Sequence, residues 1–287
     1  MFRFLKMLDS DIAAEVVRDL RNLWIQGAAG LGEPSPSLGE TAFFVAIGMT
    51  ESSRSLEEYQ EIAGHARAVD LVFDLAGGSS EIVEADIFRL HQALMSAGED
   101  GAEGPVGAWK EAPNGTYVHH RETLTYYEFA APEDVPCLMA KWMAMLNRLS
   151  ASTHCISEAA SAYARLHMAL VLIHPFCNGN GRMARLVSNI PVLRAGFPPV
   201  LIQQKDRDTY IHLLSAYKMA RGELEAGVCL LPENPELQEF IRFCRRSMGL
   251  SMRLVATAIQ RQKQRKAGGR AAAPSTGCGL QATILSR

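Results

Sequence analysis

Apolar residues return every three or four positions through most of this 287-residue chain, the period of helices that each bury one stripe. Tyr59, Ile62, Ala63, Ala66, Val69 and Phe73 fall on one helical face, and Ser55-Leu56-Glu57-Glu58 before them reads as a capping box. A second box at 37–40 opens a short helix through Ile47. Further helices are predicted at about 84–96, 132–148, 157–173, 182–195, 207–221 and 235–260, with Pro132 and Pro235 in first turns. The stretch 159–173 is apolar on nearly every face, which predicts the centre of a bundle. Pro191 lacks an N–H and predicts a kink or stop near Ile190. Only 116–119 and 123–129 read as strands, flanking Arg121-Glu122 as a hairpin, with Asn114-Gly115 as a turn signal before them. The pattern therefore defines an all-α bundle with a small β-hairpin. From about residue 261 it turns basic and then Gly/Pro-interrupted, which predicts a disordered basic tail over 261–287.

Composition narrows the classes. A hydrophobic content of 48% supports one large domain with a full core. A net charge of -2 supplies no electrostatic reason to expect nucleic acid. Six cysteines stand without metal-ligand spacing, mostly inside apolar helical patterns, so they read as reduced thiols serving as small hydrophobes. The opening residues carry Asp9 and Asp11 too early for a signal peptide, and no apolar run of 18 residues occurs, so a cytoplasmic protein without a membrane partner is expected. A protein injected into a host cell would read the same way.

The chemistry is concentrated in residues 174–185, His174-Pro-Phe-Cys-Asn-Gly-Asn-Gly-Arg-Met-Ala-Arg185. Glycines on either side of Asn180 allow successive backbone N–H groups to converge at a helix start, an arrangement that attracts anions. Arg182 and Arg185 carry permanent positive forks that match phosphate oxygens, and His174 exchanges a proton near neutrality. This set of parts suits a polyphosphate. His119-His120 lacks a third ligand of suitable spacing and reads as an exposed hairpin pair. His91 and His167 read as packing or hydrogen-bonding residues within helices.

The string 174–185 resembles the signature of the Fic (Fido) family, HxFx(D/E)GNGRxxR, at His174, Phe176, Gly179, Asn180, Gly181, Arg182 and Arg185. The stretches 39–43, 64–68, 86–91 and 109–116 are also similar to this family, so the resemblance runs over roughly residues 20 to 250. It implies a Fic-type helical bundle with a hairpin flap, divided into an N-terminal helical region over 1–50, a Fic domain over 51–260 and the tail. The implied activity is transfer of AMP from ATP to a Ser, Thr or Tyr hydroxyl of a target protein. On that resemblance His174 would be the catalytic base. Gly179, Asn180 and Gly181 would cradle the anion, while Arg182 and Arg185 would hold the outer phosphates, Arg182 also stabilising the leaving group. Phe176 would anchor the loop in the core and count among the nucleotide-binding residues, and Tyr126 and Tyr127 would align the target by strand addition.

Two departures qualify that implication. Asn178 stands where the family has Asp or Glu for the metal, and an amide oxygen without net charge predicts a weakened Mg²⁺ site. Upstream, Ala28 and Gly32 stand where the family's inhibitory (S/T)xxxE(G/N) segment has its hydroxyl residue and Glu, with Glu33 displaced by one, so self-inhibition is expected to be lost or weakened. Two alternatives accompany the transferase reading: a degenerate member that binds nucleotide or protein without transfer, and a member that transfers a different phosphate-containing group.

Overall fold

In a computed structural model of the chain, residues 2–29, 56–95, 104–120 and 123–271 are described, apart from 223, 225, 226 and 228. The inhibitory-segment comparison, the box and helix at 37–47, and the box opening at Ser55 fall outside the described residues or their described side chains. The helices are α1 (Ser10–Ala29), α2 (Leu56–Gly77), α3 (Glu84–Met95), α4 (Val135–Ser152), α5 (Ile156–Ile173), α6 (Asn180–Val187), α7 (Ile190–Arg194), α8 (Arg207–Arg221) and α9 (Pro235–Ala271). Between α3 and α4 lies an antiparallel hairpin of β1 (Gly115–His120) and β2 (Thr123–Glu128). The all-α bundle with its β-hairpin is thus the observed fold.

The centre lies where the apolar stretch placed it. α5 is buried on two opposite sides: Leu166, Leu170 and Ile173 join a cluster with α1 to α4, while Tyr163, Met168 and Leu172 join another with α8 and α9. Glu158 starts this helix by accepting the N–H groups of His154 at 2.7 Å and Cys155 at 3.1 Å, capping donors that have no helical partner. Trp142 of α4 is fully buried and donates its Nε1–H to the Leu166 carbonyl at 2.9 Å, which locks α4 against α5 and satisfies the indole.

One sequence expectation, a stop near Ile190, is sharpened, and two are corrected. The single helix predicted at 182–195 is two: α6 stops at Val187, and α7 restarts at Ile190 with Pro191 in its first turn, where a missing N–H costs nothing. Asn189 fills the break, accepting the Val200 N–H at 2.7 Å and donating to the carbonyls of Arg185 and Val200. Residues 261–271 are helical, since α9 runs on to Ala271. Gln262 bonds the backbone of Met7 and Asp9, and Arg265 and Lys266 pair with Asp9 and Asp11, so the basic cluster answers the acidic start of α1. The cysteines are mostly not core: among the described residues Cys137, Cys155 and Cys229 are exposed and Cys244 is buried. No helix among the described residues is long and apolar enough to cross a membrane.

Candidate active site

α5 ends at Ile173, and His174 follows in the left-handed region with φ 50° and ψ 58°, the one non-glycine at positive φ among the described residues. Such a conformation is strained for a residue with a Cβ, and strain of this kind gathers at functional sites. His174 Nδ1 lies 3.2 Å from the Val171 carbonyl, which can only accept, so Nδ1 carries the proton and Nε2 keeps its lone pair. The imidazole stacks on Phe129, just after β2, with centroids 3.7 Å apart and planes at 3°. Desolvation pushes its pKa down to about 3, helped by the cations of Lys110 and Lys218 and opposed by the Val171 hydrogen bond. The ring is therefore neutral at physiological pH.

The loop after His174 is tied along most of its length. Lys110 donates its backbone N–H to Pro175 at 2.8 Å. Asn180 accepts the Phe176 N–H at 2.9 Å and donates to the Phe176 carbonyl at 2.7 Å, and Asn114 donates to that carbonyl at 3.0 Å. Phe176 is fully buried and stacks on His91 at 3.8 Å. Gly107 donates to His91 Nδ1 at 2.9 Å, so Nε2 bears the proton and donates to the Asn178 carbonyl at 3.1 Å. Gly179 then turns the chain at φ +76°, where a Cβ would lie 2.8 Å from Met95 Sδ. α6 begins at Asn180 with Met183 N–H bonding the Gly179 carbonyl at 2.8 Å, which leaves the amides of Asn180 and Gly181 in the first turn, outside the helical ladder.

The predicted site residues divide on this geometry. His174, Gly179 and Gly181 lie along one tight turn. Phe176 and the Asn180 side chain act within the loop: the ring is enclosed and the amide is committed to Phe176, so neither offers a ligand contact. Arg182 pairs through Nη1 with Glu61 of α2 at 3.0 Å and approaches Met95 Sδ at 3.4 Å. Arg185 is buried, in hydrogen-bonding contact with Tyr210 and near His65, Tyr163 and His167. In this structure the two guanidinium groups are thus spread over different neighbours instead of forming one clamp. Tyr126 and Tyr127 are separated as well. Successive strand residues face opposite sides, so Tyr126 is exposed against its cross-strand partner Tyr117 with rings 5.1 Å apart, while Tyr127 turns toward Lys218.

Asn178 Oδ1 accepts the Gly179 N–H at 2.7 Å. The oxygen expected to ligate Mg²⁺ is therefore engaged by the loop itself. Glu61, a carboxylate in contact with the motif, is paired with Arg182, and Lys110 and Lys218 act electrostatically on His174. Among the described residues no three His, Cys, Asp or Glu side chains gather as a metal cluster. This donor set does not fit a divalent cation held by the protein.

Sequence reasoning missed the supporting residues. Lys110 and Asn114 lie within the resembling stretch 109–116, yet Asn114-Gly115 read as a turn, whereas Asn114 pins the flap base to Phe176. Glu61, Phe129 and Lys218 left no signal, because their partners lie far away in sequence.

Fold and site together define a helical domain whose helix-start turn, led by an imidazole, sits at the base of a two-stranded flap. The Fic/DOC family model matches residues 81–191. The chain is 31% identical over 191 residues to "Protein adenylyltransferase Fic" of Drosophila willistoni and equally to that of Drosophila erecta. These alignments cover 66% of this chain and 35% and 36% of the relatives, so the chain spans about a third of their length. Among solved structures, a Fic-domain-containing signaling protein from Bacteroides thetaiotaomicron superposes with a TM-score of 0.73 at 22% identity, covering 88% of this chain and 93% of that one. Fic-1 (residues 134–508) from C. elegans gives 0.66 at 24% identity, covering 91% and 69%. The chain belongs to the Fic/DOC family.

Proposed function

We propose that the protein transfers AMP from ATP to a Ser, Thr or Tyr hydroxyl of a target protein. The observation that carries this reading is the fixed tautomer of His174: with Nδ1–H bound to Val171, Nε2 offers a lone pair one loop away from the α6 N-terminus. The target hydroxyl would lose its proton to Nε2 as its oxygen attacks the α-phosphorus, and the bond to the bridging oxygen would break to release pyrophosphate. An approaching triphosphate raises the proton affinity of a neutral buried imidazole, which fits a base that starts uncharged. The α6 amides would receive phosphate oxygens, Arg182 would exchange Glu61 for them, and Tyr126 on the exposed flap face would meet the target. The relatives named as protein adenylyltransferases support the choice of ATP as donor.

Incubation with labelled ATP and cell lysate tests this. Protein-bound label is expected from the wild type, and His174→Ala is expected to lower it about 10²–10⁴-fold. Label that is absent from the wild-type reaction, or indifferent to His174→Ala, would sink the proposal.

A second reading rests on Asn178, whose oxygen closes on Gly179. In that case the domain binds nucleotide or a partner protein without transferring anything. A silent wild type beside an active Asn178→Asp variant would favour it, especially if ATP binding is retained and disappears in Arg182→Ala. A labelling pattern obtained with another nucleotide but not with ATP would instead favour a different donor.

A further inference from the structure

Two lysines act electrostatically on His174, Lys218 from across the Phe129 ring on which the imidazole stacks. Lys218, in the last turn of α8, is 8% exposed, and its Nζ has no hydrogen-bond partner among the described residues. It stands 3.8 Å from the ring centre of Phe129 and 5.0 Å from that of Tyr127. Lys110 is 3% exposed, and its Nζ donates to Asn114 Oδ1 at 2.6 Å. Among the described residues neither lysine has a carboxylate in ion-pair contact; Cys177 and then Glu128 act on Lys110 through charge alone.

A buried ammonium needs compensation, and aromatic faces or an amide oxygen supply only part of what a full negative charge would. Each lysine is held at about 8, well below its usual value, by desolvation first, and Lys110 adds to the effect on Lys218. Both also act on His174. Two enclosed like charges around a neutral imidazole, with no carboxylate in contact, describe a place awaiting an anion. The Lys218 ammonium lies over the flap rings Tyr127 and Phe129, so a charge there would also report whether the flap is seated.

We propose that Lys110 and Lys218 form a cationic wall that holds a phosphoryl group of the bound ligand beside His174, supplying from the protein the positive charge that a divalent ion would otherwise bring. The proposal deepens the nucleotide reading above and rests on it for the identity of the ligand. It accounts for the donor set around Asn178: with the compensating charge built into α8 and the segment before β1, the loop has no need of a carboxylate. The site then binds its anion equally well with and without Mg²⁺.

Calorimetric titration of the protein with ATP and with inorganic tripolyphosphate, in EDTA and in excess Mg²⁺, tests the wall. Wild type is expected to bind both anions with affinities that differ less than about threefold between the two conditions, and this arm needs no variant. Lys218→Met keeps an unbranched apolar stem against Phe129 and Tyr127, and it is expected to weaken both anions about tenfold or more, whereas Lys218→Arg stays near wild type. Lys110→Met is expected to do the same as Lys218→Met, and thermal unfolding of each variant checks that it folds. Affinity that rises tenfold or more with Mg²⁺, or Lys218→Met binding as tightly as wild type, overturns the wall, as does a wild type that binds neither anion. Tripolyphosphate binding that depends on Lys218, without any binding of ATP, keeps the wall and removes the nucleotide reading. Protein labelling from ATP that ignores Lys218 removes the wall and keeps that reading.

Discussion

At the scale of single residues, the turn after α5 is specified by side chains that work inside it: Phe176 anchors it as its motif position implies, whereas the Asn180 side chain is spent on Phe176. Phe176 and Asn180 build the loop, and Gly179 lets it close. Gly179→Ala places a Cβ on Met95 Sδ at a backbone φ of +76°, so we expect a loss of about 1–3 kcal/mol in stability, read as a lower denaturant midpoint, together with weakened anion binding. His174 was legible because imidazole, glycines and arginines stand in one short string. Its partners were not, since Val171, Phe129, Lys110 and Lys218 reach it from α5, the flap base, the segment before β1 and α8. Asn178 could be recognised as an odd choice for a metal ligand, but its closure onto Gly179 needed coordinates.

Among the elements, helices with an apolar stripe were readable from spacing, and α5 most clearly, because burial on two sides leaves almost no polar position along it. The hairpin was readable for the complementary reason: a short polar and aromatic alternation cannot sit inside such a bundle. What spacing could not give was which face of β2 looks outward. Tyr126 is 51% exposed, and Tyr127 packs toward Lys218. Tyr126→Ala is therefore expected to reduce target labelling at an unchanged melting temperature, whereas Tyr127→Ala should lower the melting temperature and disturb anion binding. Equal effects of both substitutions on labelling alone would show that the two faces are not distinguished by the target. The break between α6 and α7 belongs at this scale too. Pro191 announced it, but the residue that fills it, Asn189, draws its purpose from Val200, eleven positions on.

For the whole molecule, three histidines set the response to acid. His65, His167 and His174 are each held at about 3, against 6.5 for an unperturbed imidazole, in every case chiefly by desolvation. The unfolded chain then binds protons first as pH falls. Stability present above about 6.5 is lost progressively toward about 3, and pH-dependent thermal melts should show a steadily falling midpoint through that window. A chain cut after Gln260 tests the corrected C-terminus. Losing the contacts of Gln262, Arg265 and Lys266 with Met7, Asp9 and Asp11 around the start of α1 should lower the melting temperature by a few degrees, and the difference should shrink in high salt because these ion pairs are exposed.

The seam between α9 and α1 joins residues more than 250 positions apart, and the same helix completes, with α8, the cover over one side of α5. During synthesis the central helix therefore leaves the ribosome long before its cover is complete. Until the last long helix emerges, Tyr163, Met168 and Leu172 have only part of their cover, from α8 and from Val192, Val200 and Ile202. Closure of such distant pairs is slow, so the nascent protein passes through a stage in which chaperones would find a ready apolar target.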